Sequence, residues 1–124
     1  MMKSILPNSR KPDISFHPSG KIDISARIAR QLSLASGDVI DIAYDAGELY
    51  LYVRLRAGRY NGRHEGRVWG TTVHKKGTFR TYSKTLVEAA LSAAGTSGPL
   101  RCPRGEVIEH NHRPYITIIY RCPL

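Results

Sequence analysis

Residues Ile14 to Val53 read ISFHPSGKIDISARIARQLSLASGDVIDIAYDAGELYLYV, and their periodicity decides the fold. Apolar residues alternate at Ile14 and Phe16, then at Ile22 and Ile24, which is the two-residue period of half-buried strands. Ser25 can cap a helix, because its hydroxyl can accept from the first free backbone N–H groups. Ile28, Ala29, Leu32 and Ala35 then recur at helical spacing, and Gly37 offers a C-terminal stop. The stretch is therefore expected to run strand, tight turn, strand, short helix, strand, turn, strand. Such a unit is too small to bury its own apolar faces and calls for a second copy.

The segment GKIDISARIARQLSLASGDVIDI resembles the AbrB-type swapped-hairpin DNA-binding family, in which a Gly-basic turn, a β-strand, a helix and Gly-Asp recur at this spacing. The resemblance implies a mainly β fold with short helices (α+β), a swapped-hairpin AbrB-like barrel. It also implies the work of a bacterial transcriptional regulator or antitoxin-like protein that binds double-stranded DNA. In that family a basic residue follows the turn glycine and arginines of the short helix contribute to DNA contact; Lys21 and Arg30 match such positions. Arg27 falls where an acidic residue is often found.

A degenerate second copy is expected over residues 73–120, VHKKGTFRTYSKTLVEAALSAAGTSGPLRCPRGEVIEHNHRPYITIIY. Gly20 matches Gly77 at the hairpin turn, and Ser25 matches Ser83 as helix cap. Ile28, Leu32 and Gly37 match Leu86, Ala90 and Gly95. No Asp follows Gly95, and residues 96–103 do not resemble the first copy. Two half-folds in one chain can satisfy each other as a pseudo-dimeric monomer, or equivalent copies can swap between chains in a homodimer, which the imperfect second copy favours slightly. The alternative is two unrelated α+β elements.

The expected organisation is a flexible arm at 1–13, repeat 1 at 14–56, an Arg/Gly-rich mobile loop at 57–66 and repeat 2 at 67–124. Strands are expected at 14–17, 21–25, 39–44, 49–56, 67–73 and 78–82, with helices at 26–36 and 84–94. A closing hairpin of about 99–109 and 114–121 turns around His110 to Arg113, with a bulge at Gly105. Leu49, Leu51, Val53 and Leu55 should face one way; Tyr50, Tyr52, Arg54 and Arg56 should face the other.

The charge is placed unevenly. The 124 residues carry a formal +9, yet residues 1–53 balance six cations with six carboxylates. Residues 54–84 hold nine cations against Glu65 alone, a net +8, and residues 85–124 contribute only +1. A field this concentrated attracts polyanions and speeds their encounter. Three groups of candidate nucleic-acid-binding residues follow. The first is Lys21 with Arg27 and Arg30, three residues apart on one helix face; Asp23 beside them opposes a phosphate. The second is Lys75, Lys76, Arg80 and Lys84, around the Gly77 turn. The third is Arg54, Arg56, Arg59, Arg63 and Arg67, with Tyr50, Tyr52 and Tyr60 nearby. Arginine can grip phosphate or a guanine edge, and tyrosine can stack on an unpaired base. Trp69 reads as a core or interface anchor.

Other functions find little support. No run of about 18 apolar residues offers a membrane span. The segment MMKSILPNSRKPD is too short in apolar residues for a signal peptide, so a cytoplasmic location is expected. There is no P-loop, dinucleotide fingerprint, His-Glu-x-x-His or nucleophile elbow, so no enzyme and no cofactor are expected. Cys102 and Cys122 each sit in Arg-Cys-Pro and fall roughly opposite each other, as neighbours, an oxidisable pair or buried thiols. A zinc site with His110 and His112 fails, because eight strand residues separate them by ~26 Å whereas zinc needs ligands within about 2.3 Å. Two further readings stay open. One is an interaction module whose Arg-rich loop binds an acidic protein, and the other is an RNA-binding protein similar to SymE-type toxins.

Overall fold

The computed structural model describes residues 11–71, 77–121 and 123–124. Lys75, Lys76 and Cys122 lie outside the described residues, as does most of the amino-terminal arm. The chain is mainly β, with nine strands in two antiparallel sheets and two short helices among the described residues. Each sheet is open, so the strands form no closed barrel. The first sheet contains β1 (Ile14–Phe16), β2 (Lys21–Ile24), β5 (Trp69–Thr71), β6 (Thr78–Tyr82) and β7 (Leu100–Cys102), in the order β5-β6-β2-β1-β7. The second contains β3 (Val39–Asp45), β4 (Glu48–Leu55), β8 (Arg104–His110) and β9 (Arg113–Ile118), in the order β3-β4-β9-β8.

The order hairpin, helix, hairpin occurs twice. β1–β2, α1 (Ala26–Leu32) and β3–β4 form one set; β5–β6, α2 (Lys84–Ala94) and β8–β9 form the other. The sets join strand to strand, β2 against β6 and β4 against β9. They also cross. After α1 the chain pairs at 37–40 with residues 66–68, just before β5, while after α2 it pairs as β7 with β1. The two turn glycines repeat the exchange. Gly20 (φ +99) would set a Cβ 3.1 Å from Lys84 Cγ at the start of α2, and Gly77 (φ +84) one 3.1 Å from Ala26 Cβ at the start of α1. A side chain at either turn would strain the backbone and crowd the opposite helix.

Alternation explains the core. Ile14, Phe16, Ile22 and Ile24 of the first sheet, Leu49, Leu51, Val53, Ile116 and Ile118 of the second, and Ile28, Leu32, Val87 and Leu91 of the helices form one contiguous buried cluster. Each such side chain contributes roughly 1.5–3 kcal/mol when fully buried. The half-folds thus cover each other's apolar faces within one chain. The expected caps are in place: Ser25 Oγ accepts from the Ile28 N–H at 3.3 Å and Ser83 Oγ from the Leu86 N–H at 3.1 Å. Each hydroxyl in turn donates to a carboxylate of its own half, Ser25 to Asp13 and Ser83 to Glu65.

The structure departs from expectation at the end of α1, in the closing strand and in the 57–66 loop. Helix α1 stops at Leu32 rather than residue 36, because Ser33 takes the left-handed conformation (φ 51) and caps the helix with its own N–H. Gly37 (φ 97) instead serves the turn into β3, and only Gly95 of the matched pair is a helix cap. The expected strand 99–109 is two strands, one in each sheet. Buried Pro103 has no N–H to continue a ladder, and the Arg104 N–H beyond it is taken by the Asp13 carboxylate at 2.9 Å. The 57–66 loop has no regular structure but is tied down: Tyr60 donates to Gly37 O, the Ala57 N–H to Asp38, and Glu65 accepts from Ser83 and Thr85. The bulge expected at Gly105 lies in the register shift between Arg104 and Val107.

Candidate nucleic-acid interface

Because β2 and β6 are alternating strands, the face of the first sheet opposite the core must carry their polar residues. The register lines up one residue from each strand across that face: Trp69, Arg80, Asp23, Ser15 and Arg101. Lys21 lies opposite Tyr82 in the adjacent position. Asp23 sits among cations: its carboxylate accepts from Arg80 Nε at 2.6 Å, contacts His17 Nε2 at 3.2 Å and lies 4.0 Å from Lys21 Nζ. The hydrogen bond to Asp23 holds the Arg80 guanidinium firmly protonated, its pKa raised. The anticipated opposition of Asp23 to phosphate is thus already offset by Arg80 and Lys21. The face keeps a positive excess from Lys21, Arg80 and Arg101, joined at one edge by Arg67.

The expected binding residues divide. Lys21, Arg67 and Arg80 come together on or beside this face. Lys84, the first residue of α2, is exposed and runs its stem past Gly20. Arg27 and Arg30 are exposed on α1, opposite Ile28, Ala29 and Leu32. Arg63 is exposed on the loop. Arg54 and Arg59 are also exposed but line a different cleft, of about 740 Å³, with His112 and Arg113. Arg56 is already engaged within the fold. Its guanidinium donates to Leu32 O at 2.9 Å, to Ser33 O at 2.9 Å and to the buried Asp38 carboxylate at 3.0 Å. It satisfies the last carbonyls of α1 from the end of β4, a structural task that occupies its fork of donors.

Several participants escaped the sequence reading. Trp69 is neither core nor covered: it is 52% exposed, on the outer face opposite Arg80. Tyr82 is 63% exposed on the same face. The β6 alternation of Thr78, Arg80 and Tyr82 carried this signal, as it did for Tyr50 and Tyr52. Those tyrosines lie on the outer face of the second sheet, where Tyr52 packs on Tyr115 with ring centroids 4.7 Å apart and donates to Asp41. Burial, then the Asp41 charge, push the Tyr52 phenol pKa up. Tyr60 is engaged with Gly37 and with Arg67. Cys102 is buried in the core, and desolvation pushes its thiol up to about 12. No group of three metal-ligating side chains forms among the described residues, and no helix among them is long and apolar enough to cross a membrane.

No protein-family model, curated protein or solved structure matches this chain.

Proposed function

We propose that the chain is a single-chain swapped-hairpin protein of AbrB-like type that binds the phosphate backbone of double-stranded DNA, as a regulator or antitoxin-like factor. One observation carries the reading. Two hairpin–helix–hairpin halves pair crosswise and bring cations from both, Lys21 from one and Arg80 and Arg101 from the other, onto one sheet face. Cations spread along a sheet face neutralise successive phosphates and release counterions, which supplies affinity without sequence information. Arg27, Arg30 and Lys84, exposed on the helices, extend the cationic surface.

The same junction favours the pairing of unlike halves. Asp23 and Arg80 each lie three residues after their turn glycine, so they are equivalent positions, and they face each other. A swapped pair of first halves would set Asp23 against Asp23, and a pair of second halves Arg80 against Arg80. Opposite charges meet only when the two different halves combine. A gel shift at low salt with duplex DNA, single strands and RNA, run beside an acidic protein as competitor, tests the reading. Retardation of duplex DNA is expected; retardation of RNA alone would favour the RNA-binding reading, and no retardation of any nucleic acid at low salt would leave the protein-interaction reading in its place.

A further inference from the structure

Trp69 on β5, Arg80 and Tyr82 on β6, and Arg67 just ahead of β5 line one cleft. Trp69 lies directly across from Arg80. One step along, the Thr81 hydroxyl donates to Arg67 O at 2.5 Å, and Arg67 and Tyr82 line the same cleft. Two aromatics and two guanidinium groups thus border an open cleft of about 350 Å³, which His64 and Thr71 also line. The cleft lies at the lower end of ligand-pocket sizes, roughly 300–1,000 Å³.

The aromatics here are not packing residues. Trp69 and Tyr82 keep more than half of their surface open, in a molecule whose other large apolar groups are mostly buried. The indole is held from one side. Arg67 places its guanidinium 5.1 Å from the Trp69 ring centre and 5.6 Å from that of Tyr60, so it is clamped between the two rings. Tyr60 is itself fixed by its bond to Gly37 O at 2.6 Å and by His64 edge-on at 4.9 Å. A rigid aromatic plane flanked by fixed cations suits a flat, π-faced group carried on a phosphate chain. The opposite half lacks this device: Ser15, in the position equivalent to Trp69 on β1, is buried and small.

We infer that this cleft stacks one unpaired nucleobase, which gives a single strand a contact beyond the phosphate grip that it shares with duplex. The inference rests on the reading of this face as a nucleic-acid surface and adds the element of base recognition. Arg67 and Arg80 take the phosphates on either side of the base, and the indole takes the base itself. Stacked bases in a duplex keep their faces covered and cannot enter. An acidic protein partner would use the charge of the face but has no need of a clamped indole between cations.

Trp69 is the sole tryptophan of the chain, so its emission reports on the cleft alone. The test titrates the full chain with a labelled dT 12-mer, a rU 12-mer and a 12-base-pair duplex at low salt, reading Trp emission and label anisotropy together. Quenching by the single strands is expected; which one binds better identifies DNA or RNA as the source. Trp69→Ala should weaken single-strand binding about five- to 150-fold, the range that stacking of one base gives, and leave the salt slope of duplex binding unchanged, since the indole carries no charge. Trp69→Phe should retain most of the affinity. Single-strand affinity that Trp69→Ala leaves untouched would overturn the stacking site while keeping the nucleic-acid reading. Absence of binding to all three would overturn both.

Discussion

Arg56 is held by three acceptors within the fold, and its removal has a calculable cost. In Arg56→Ala, Leu32 O and Ser33 O lose their donors and the Asp38 carboxylate, buried to 1% exposure, loses its counter-charge. Asp38 keeps the N–H groups of Ala35 and Ala57, at 2.9 and 2.8 Å, so it is not orphaned. Hydrogen bonds to charged groups contribute about 1.5–3 kcal/mol each. The Arg56 side chain is 44% exposed, and solvent screening lowers that contribution. Loss of the pair and of two carbonyl caps should together cost about 2–3 kcal/mol, below the roughly 3–5 kcal/mol of breaking a fully buried pair. For a chain of this length that is a drop in Tm of roughly 6–12 °C. Arg54→Ala, two residues away and engaged with no described residue, should stay within about 0.5 kcal/mol. Urea unfolding followed by circular dichroism measures both, and duplex anisotropy across a salt series tests the binding side. The reasoning fails if Arg56→Ala is as stable as Arg54→Ala while the salt dependence of binding flattens, for Arg56 would then be a phosphate ligand.

Three further outcomes follow from the same structure. Asp23→Arg and Arg80→Asp should each destabilise by about 0.5–1.5 kcal/mol, since each sets like charges across the β2–β6 junction, and the double exchange should recover most of the loss; a denaturation cycle with no coupling would remove the junction's charge preference. Cys102, in a Cys122→Ser background, should resist alkylation at pH 8 until the chain unfolds. Its thiol is raised from 9.0 to about 12, so the stability it contributes is complete below pH 9 and is lost as pH climbs towards 12; rapid labelling of the native chain would contradict this burial. The Glu65 carboxyl is held below its ordinary 4.5, first by the Ser83 hydroxyl and then by the Thr85 N–H, so its contribution is present above that pH and is lost as pH falls through the lowered value. Glu65→Gln should therefore reduce the acid sensitivity of melting below about pH 4.5, and an unchanged acid profile would refute the link.

What the sequence disclosed was local, and what it concealed was a choice of distant partners. Alternation in Ile14 to Ile24 and in Leu49 to Val53, the caps Ser25 and Ser83, and the turn at Ala46-Gly47 are set by neighbouring residues, and all can be read from spacing. The end of α1 cannot. Arg56 supplies its cap from more than twenty residues away, so the local pattern ran on to Gly37. The division of the last long strand at Pro103 depends on Asp13, far off in the chain, accepting from the Arg104 N–H. The charge excess in residues 54–84 pointed to a polyanion partner but not to the separate places its arginines take in the fold. Arg56 and Arg67 have the same chemistry in sequence, yet one serves a helix end and the other lies against an exposed indole. Of the two readings of Trp69, core and interface anchor, its exposure removes the core one, and the register that sets it across from Arg80 could not be read from spacing.

The central claim is that one chain builds its binding face from two halves, and the salt dependence of duplex affinity tests it most directly. Lys21 comes from one half and Arg101 from the other. Log K for the wild-type chain should fall linearly with log salt, and Lys21→Ala/Arg101→Ala should flatten that slope by about two, at ~0.9 per neutralised phosphate, without lowering Tm. An unchanged slope in the double variant, or no binding by the wild type at the lowest salt, would contradict the account.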